Sequence, residues 1–253
     1  MKHHEYARIL PEARITVLFI HGIVGTPRHF TDVVPLIPLV PEDWSVYNVL
    51  LEGHGGKTED FSRSGMKKWK KQVWDIFLHL AETHEQVVIA AHSMGTLFAI
   101  ELAVEFPEKI PALFLLAVPL KPGLRLFGIQ NMMRLVFDSI DDRNPMQVAV
   151  GEACGVNPTK KLWKYLGWTP RFVELLREIA VVEEKLDQLC VPCMAYQSQH
   201  DELVRTSSEC ILQRCDSISV RKLSRSSHFY YHPSDLNRVK ADFLGLCKKL
   251  THD

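Results

Sequence analysis

The chain has 253 residues, of which 46% are hydrophobic, and its 30 basic and 30 acidic residues give a formal net charge of zero at pH 7. That length is enough for one substantial core and makes a second full domain unexpected. The charge balance argues against a global field that would recruit nucleic acid or an anionic membrane, so we expect a small, near-neutral molecule as the partner.

The cysteines and the first apolar run indicate the compartment. Six cysteines in a chain of this size, without a secretory leader, are typical of reduced thiols rather than of a disulfide framework. Cys190 and Cys193 have CxxC spacing, but they precede a strand and do not open a helix, which argues against a redox or zinc site. The first apolar run, Ile15–Ile20, is too short for a membrane span or a typical signal core. We therefore expect a soluble, cytoplasmic protein without stable membrane insertion.

The first predicted strand, Ile15–Ile20, leads into a glycine-rich stretch at residues 21–27 (HGIVGTP), which we call the first glycine loop. An acyl-transfer enzyme needs two convergent amide donors for its oxyanion, and a glycine turn after a strand can offer one without an obstructing side chain. Taken alone, a His-Gly pair after a strand is weak evidence, and a simple strand-ending turn is then the preferred interpretation. The loop becomes informative only together with a nucleophile further along the chain.

A second strand, predicted at residues 44–51, is followed by the second glycine loop at residues 52–56 (EGHGG). A histidine between glycines is more often a structural hydrogen-bonding group than a catalytic base, and we interpret His54 in that way. A long amphipathic helix follows, with apolar residues at helical spacing: Met66, Trp69, Val73, Phe77 and Leu80. Its other face carries lysines that we interpret as solvated rather than lipid-binding: Lys67, Lys68, Lys70 and Lys71.

Residues 87–100 (VVIAAHSMGTLFAI) predict a strand, a sharp turn and a helix. Ala91-x-Ser93-x-Gly95 is the nucleophile-elbow pattern with alanine in place of its first glycine. Such a turn strains the serine backbone and brings strand and helix close together, so small residues are needed on either side, and alanine still fits. The turn exposes the serine hydroxyl and places the Met94 amide at a helix N-terminus, where it can stabilise an oxyanion.

Another apolar strand is predicted at residues 112–118, and no carboxylate stands at its end. From residue 121 to residue 186 the alternation of strand and helix gives way to apolar helical segments. We predict a discontinuous core, residues 1–120 and 187–253, with an inserted helical cap at residues 121–186 that lies over the elbow. The alternative is that these segments are ordinary helices packed on the sheet. A cap of this kind indicates a substrate with an apolar part.

The alternation resumes with strands at residues 191–199 and Ile218–Leu223, before a closing amphipathic helix. Asp201 follows the first of these strands and His228 follows the second. A serine hydroxyl needs a base within hydrogen-bond reach, and that base needs a carboxylate to fix its tautomer. Because the carboxyl ends of parallel strands meet at one edge of a sheet, we expect Ser93, Asp201 and His228 to lie together there.

Other polar residues near these strand ends are weaker candidates. His232 precedes a proline at the start of the closing helix, and His200 adjoins the predicted acid. Glu202 and Asp216 are less well placed than Asp201. A surface polar role is the alternative for each of them.

The order Ser93, Asp201, His228 and the two glycine loops resemble those of the α/β-hydrolases, and more narrowly of small bacterial carboxylesterases related to monoacylglycerol lipases. The resemblance extends over residues 15–250. It implies a mostly parallel central sheet flanked by helices, with an inserted helical cap. It also implies Ser93 as nucleophile, His228 as base, Asp201 as orienting acid, and the backbone amides of Ile23 and Met94 as the oxyanion hole.

The resemblance further implies a two-step mechanism through an acyl-enzyme, with no cofactor and no metal. The leading hypothesis is a carboxylic ester hydrolase, carboxylesterase-like, that acts on short- or medium-chain or monoacylglycerol-like esters. A thioesterase, a lysophospholipase or a peptidase would use the same intermediate. The alternative from another class is a non-catalytic ligand-binding homologue. The sequence leaves the oligomeric state open.

Overall fold

The computed structural model describes residues 3–252. Within them, seven strands form one sheet in the order β1-β3-β2-β4-β5-β6-β7. Strand β1 is antiparallel to β3, and every other neighbouring pair is parallel. The mostly parallel sheet expected from the sequence is confirmed. The strands are β1 (Tyr6–Arg8), β2 (Ile15–Ile20), β3 (Ser45–Asn48), β4 (Gln86–His92), β5 (Leu113–Leu116), β6 (Cys193–Ser198) and β7 (Ile218–Leu223).

Helices flank the sheet. The α-helices are α1 (Thr58–Arg63), α2 (Met66–Thr83), α3 (Met94–Glu105), α4 (Leu126–Val136), α5 (Pro145–Ala153), α6 (Thr169–Lys185), α7 (Ser208–Leu212) and α8 (Pro233–His252). Short 3₁₀ helices lie at Pro27–Phe30, Ile37–Leu39, Leu162–Trp168 and Leu186–Gln188. In the part of the chain that the structure describes, no helix combines the length and the apolar character that crossing a membrane requires.

The core is divided by the sheet into two apolar layers. Alternate residues of β2 face opposite sides: Leu18 and Ile20 pack with α2, α3 and α6, whereas Val17 and Phe19 pack with α8. Burial on both faces explains why β2 is apolar throughout, since neither side of the strand meets water. The predicted apolar face of α2 is confirmed, because its buried residues are the five at helical spacing.

The lysine face of α2 is only partly solvated, which corrects the sequence-based interpretation for Lys70. The Lys70 ammonium lies 2.5 Å from Glu101 on α3 and 2.8 Å from Glu178 on α6. Lys185 of α6 reaches the same Glu101 carboxylate at 2.6 Å. Because the Glu101 side chain is only 1% exposed, these cations are what compensate for its burial. The network joins three helices on one face of the sheet.

Strand β1 was not predicted. It has three residues, and it pairs with β3 from Tyr6 opposite Asn48 to Arg8 opposite Val46. The pairing uses backbone groups at the edge of the sheet, where side chains need not be apolar. A short polar strand of this kind therefore leaves no periodic signal in the sequence.

Residues 121–186 leave the sheet after β5 and return to it at β6. Helix α4 buries only Gly128, whereas α6 buries Ile179 and Val182 against the layer that contains α3. The segment thus contains both a loosely packed part and a helix that covers the sheet. The division of the chain into a core and a cap at residues 121–186 stays a prediction.

Candidate active site

The turn between β4 and α3 places Ser93 in a strained backbone conformation, with φ 52° and ψ −124°. A positive φ is rare for a residue with a side chain, and it persists only where the surroundings impose it. Here β4 ends at His92 and α3 begins at Met94, so the change of direction is confined to one residue. Ser93 is 7% exposed, and its backbone N–H donates to the Leu116 carbonyl at 2.9 Å.

Close approach of three segments explains the glycines around Ser93. A Cβ atom on Gly95 would overlap the carbonyl oxygen of Ile20, so α3 can sit against β2 only without that side chain. A Cβ atom on Gly22 would lie 2.7 Å from the Cβ atom of Ser93 itself. The first glycine loop therefore runs directly beside the serine, as its position after β2 predicted.

A chain of hydrogen bonds joins Ser93, His228 and Asp201. The Oγ atom of Ser93 lies 3.2 Å from Nε2 of His228, and Nδ1 of His228 lies 2.9 and 3.1 Å from the two carboxylate oxygens of Asp201. Asp201 follows β6, and His228 lies in the loop between β7 and α8. All three side chains are almost fully buried. Segments 135 and 27 residues apart in the chain are thus brought into contact.

Asp201 fixes both the orientation and the charge of the imidazole. One oxygen of Asp201 accepts two backbone N–H groups, from Leu203 and Val204, each at 2.8 Å. Since a carboxylate only accepts, Nδ1 of His228 carries the proton and Nε2 presents a lone pair to Ser93. Burial lowers the pKa of His228, but the charge and hydrogen bond of Asp201, together with Glu202, outweigh burial and raise the pKa above its ordinary value.

The backbone of His228 is held at both of its polar groups. Its N–H donates to the Glu202 carboxylate at 2.9 Å, and its carbonyl accepts from Nε2 of His92 at 3.1 Å. Burial raises the pKa of Glu202 and lowers that of His92 far below its ordinary value. The sequence did not predict that Glu202 and His92 support the backbone of His228. Glu202 was considered only as a rival acid, and the structure places its carboxylate on the backbone rather than on the ring.

The remaining rivals lie away from this chain of hydrogen bonds. Nδ1 of His232 is paired with the Ser234 hydroxyl at 2.8 Å. His200 and Asp216 are exposed. The His54 ring lies 3.2 Å from the carbonyl of Leu51 and accepts the Val24 amide, in the position of a structural hydrogen-bonding group.

The two amides expected to form an oxyanion hole lie on opposite sides of Ser93 in the chain. Met94 is the first residue of α3. The N–H groups of the first helical turn have no partner within the helix and point out of its N-terminal end. The carbonyl of Gly22 accepts from Gly25 N at 3.0 Å and from Nδ1 of His21 at 2.8 Å. In a trans peptide the next N–H points the opposite way, so these bonds direct the Ile23 N–H away from the turn.

A cavity of about 590 Å³ opens over Ser93. Its walls are mostly apolar. They include Ile23 and Phe229, which lie outside residues 121–186, and residues of α4 and α6, which lie inside that segment. Glu202 is the one charged residue among the described lining residues. The size is in the range of sites for small organic ligands, roughly 300 to 1,000 Å³. A serine that lines an apolar cavity and is hydrogen-bonded to a buried histidine–carboxylate pair can perform acyl transfer.

Comparison with known proteins agrees with the fold described above. The model of the alpha/beta hydrolase family matches residues 17–239. A thermostable monoacylglycerol lipase of Bacillus sp. (strain H-257) is 24% identical over 222 residues, which cover 86% of this chain and 82% of that protein.

Solved structures with the same fold include lipolytic enzymes. One of two metagenome-derived lipolytic enzymes superposes with a TM-score of 0.71 at 18% identity, over 98% of each chain. A monoacylglycerol lipase of Paleococcus ferrophilus superposes with a TM-score of 0.67 at 15% identity, over 98% of this chain and 99% of the other. A thioesterase domain from the curacin biosynthetic pathway superposes with a TM-score of 0.58 at 17% identity, over 96% of this chain and 94% of the other. At these identities the structures agree in fold alone.

Proposed function

The chain belongs to the alpha/beta hydrolase family, and from that premise we propose that it is a carboxylic ester hydrolase, carboxylesterase-like, with Ser93 as nucleophile, His228 as base and Asp201 as orienting acid. The observation that carries the proposal is the hydrogen-bond chain from Ser93 Oγ through His228 to Asp201, with distances of 3.2 and 2.9 Å. Its position at the floor of an apolar cavity supports an ester as the substrate.

The reaction proceeds in two steps. The Oγ atom of Ser93 bonds to the ester carbonyl carbon while its proton passes to Nε2 of His228, and the carbonyl oxygen becomes an oxyanion. Collapse of this intermediate breaks the bond to the alcohol oxygen, which takes the proton from His228, and leaves an acyl-serine. Water then repeats the sequence: its proton passes to His228, the carboxylic acid departs, and the proton returns to Ser93.

The oxyanion is stabilised by the backbone amides of Ile23 and Met94. The Met94 amide adds the positive end of α3, a 12-residue helix. The Ile23 amide is aimed by the two hydrogen bonds that the Gly22 carbonyl accepts. Amides placed before reaction need no rearrangement as charge develops, which is the source of their effect on rate.

The substrate is a neutral ester with an apolar acyl part, of short or medium chain or like a monoacylglycerol. The apolar lining of the cavity favours such a group, and an anionic acyl chain would meet Glu202. The lipase relative supports the same class. Thioesters and lysophospholipids pass through the same acyl-serine and stay alternatives. The six cysteines are free thiols in the structure, which supports the proposed cytoplasmic location.

The function is tested by hydrolysis of p-nitrophenyl esters across a series of acyl lengths, together with labelling by a fluorophosphonate. We expect turnover that peaks at one chain length and an adduct on Ser93. An adduct on another residue, or a folded protein that neither reacts nor turns over, would remove the mechanism. The thioester analogues of the best substrate, run in parallel, decide between esterase and thioesterase.

Asp201→Asn should lower kcat by about 10³-fold, because the amide cannot hold the required tautomer of His228 or stabilise its charged form. Glu202→Gln is the matched control, since the glutamine carbonyl can still accept the His228 N–H and the ring is untouched. The decrease in kcat of Glu202→Gln should stay within about tenfold. Wild-type activity in Asp201→Asn would show that the acid is misassigned, and a large loss in Glu202→Gln would then identify Glu202 as the acid.

The pH dependence of kcat/KM should follow His228, which must be neutral to accept the proton of Ser93. Its pKa is raised above the ordinary value of 6.5, since the effect of Asp201 and Glu202 exceeds that of burial. The rate should therefore climb with pH, with a midpoint above 6.5, and then level off. A pH–rate profile in a non-nucleophilic buffer measures this midpoint. A midpoint below 6.5 would contradict the ionised Asp201–His228 arrangement.

A further inference from the structure

The residue after the predicted oxyanion amide, Val24, has a conformation that its neighbours must impose. Its φ is 56°, in the left-handed region, and valine is β-branched. Such a conformation is an outlier for a β-branched residue and persists only where the surrounding structure imposes it. The turn at Ile23 and Val24 therefore depends on contacts from outside the first glycine loop to keep its shape.

Both polar groups of the Val24 backbone are held by other segments. Its N–H donates to Nε2 of His54 at 3.1 Å, and its carbonyl accepts from the Gly155 N–H at 2.7 Å. His54 comes from the second glycine loop. Gly155 comes from the inserted segment, just after α5. Three parts of the chain thus meet at one residue beside the nucleophile.

His54 is suited to accept the amide because its tautomer is fixed. Its Nδ1 lies 3.2 Å from the Leu51 carbonyl and 3.3 Å from that of Glu52, and carbonyls only accept, so Nδ1 carries the proton. Burial lowers the pKa of His54 well below its ordinary value, which keeps the Nε2 lone pair available at neutral pH. The ring packs against Phe61 and Trp69 with centroids 5.2 Å away, and this packing prevents rotation.

Gly155 fits only because it lacks a side chain. A Cβ atom there would overlap the carbonyl oxygen of Gly25, so the inserted segment lies directly on the first glycine loop. The carbonyl of Gly155 accepts from Gly55 N at 2.5 Å, and Asn157 N donates to Gly56 O at 2.9 Å. The inserted segment is therefore bonded to both glycine loops through backbone groups.

We propose that His54 and Gly155 are positioning residues for the oxyanion turn, so that the inserted segment controls the placement of the Ile23 amide as well as covering the cavity. The inference rests on the proposed function. Ester turnover would depend on the inserted segment being seated on the first glycine loop. A displaced segment would leave the nucleophile and base intact but the oxyanion unsupported.

The first test replaces His54 in two ways. The side-chain amide of asparagine can still donate to the Leu51 carbonyl but is too short to reach the Val24 amide. The longer side chain of glutamine can place its carbonyl oxygen near the position of Nε2, where it can accept the Val24 N–H. We expect His54→Asn to lower kcat by about 10- to 100-fold with KM changed less than about threefold, and His54→Gln to recover most of the loss. The affinity of a trifluoromethyl ketone inhibitor should fall by the same factor as kcat/KM.

The matched control is His84, another buried histidine that bonds a backbone carbonyl through Nδ1, that of Leu80, and a second group through Nε2, the Ser45 hydroxyl. It lies after α2, away from the turn. His84→Asn should cost comparable stability without a selective loss of kcat. Equal losses of kcat in His54→Asn and His84→Asn would overturn the role of His54. So would a loss in His54→Asn that His54→Gln does not recover.

The second test addresses the inserted segment. Gly155→Ala should push the segment off the Gly25 carbonyl and lower kcat at least tenfold. Gly245→Ala is the control, because nothing lies within 4 Å of its added Cβ. Wild-type kcat in Gly155→Ala would overturn the coupling. A wild-type protein without turnover or Ser93 labelling would instead refute the proposed function, so the two failures are distinguishable.

Discussion

Ser93→Ala should lower kcat for p-nitrophenyl ester hydrolysis by about 10³-fold or more, because nucleophile, base and acid act as a unit. Without Oγ no acyl-enzyme can form, and the remaining amides can only assist direct attack by water. His228→Ala should cause a loss of the same order, and the double variant should be little worse than either single one. KM should change little for Ser93→Ala, since the apolar cavity that holds the acyl chain is unaltered.

Ser45→Ala is a suitable control for this comparison. Ser45 is buried like Ser93, with 0% against 7% exposure, but it lies on β3, where its hydroxyl contacts Nε2 of His84 at 2.8 Å. Its replacement should leave kcat close to that of the wild type while reporting the general effect of removing a buried hydroxyl. If Ser93→Ala kept a tenth or more of the wild-type rate, turnover would have to proceed without an acyl-enzyme.

The protein should lose stability steeply between about pH 6 and pH 4, because four buried histidines must stay neutral in the folded state. Burial lowers the pKa of His21 to about 4 and that of His29 to about 3. It also lowers the pKa values of His54 and His92 well below the ordinary 6.5. The His29 and His92 rings are stacked with centroids 3.8 Å apart. Protonation of either ring would therefore place a positive charge directly against the other.

The direction of the effect follows from proton linkage. Between 6.5 and the lowered values the unfolded chain binds protons that the folded chain does not, so the free energy of unfolding decreases as pH falls. Each group contributes about 1.4 kcal/mol per pH unit where the two states differ by a whole proton, so His21 and His29 together contribute roughly 3 kcal/mol per pH unit near pH 5, and His54 and His92 act in the same direction. Since a domain has roughly 5–15 kcal/mol in total, this is enough to unfold it. Urea unfolding at several pH values measures the slope.

The contribution of one histidine can be removed separately. His29 packs edge-on against Phe30 and Tyr231, so phenylalanine suits its surroundings. His29→Phe should reduce the slope near pH 5 by about 1.4 kcal/mol per pH unit. His79→Phe on the exposed side of α2 gives the effect of a histidine replacement outside the core. A free energy of unfolding that stays level from pH 6.5 to 5 would contradict the burial of neutral histidines.

The features of the fold that sequence reasoning predicted are those that leave a local pattern of apolar residues in the chain. The spacing of Met66, Trp69, Val73, Phe77 and Leu80 predicted both the helix and its buried face, because a helix against a core repeats every 3.6 residues. The apolar run of β2 predicted a central strand for a different reason: both faces of such a strand are buried, so every residue of the run is apolar. Strand β1 and the pairing of Lys70 with Glu101 and Glu178 have no period. They depend on which segments become neighbours, and that is known only after the sheet has assembled.

At the candidate site, the sequence located the residues at strand ends but not those that support them. Ser93, Asp201 and His228 each follow a strand, so the parallel sheet was enough to place them at one edge. Glu202 accepts the backbone N–H of His228, and His92 donates to its carbonyl. Any other side chain with a suitable acceptor or donor within hydrogen-bond distance could support His228 in the same way. Such contacts depend on the path of loops, for which neither composition nor spacing contains a signal.

The order of the strands along the chain also determines when, during synthesis, the proposed nucleophile can first act. Ser93 follows β4 in the middle of the sheet, whereas Asp201 and His228 follow β6 and β7, which are synthesised later. Because domains form from the N-terminal side as they emerge, a nascent chain that ends after α6 contains the serine without its base. If the proposed function holds, ester turnover in a translation mixture would report only chains in which β7 and the His228 loop have docked, and chains arrested before them would be inactive.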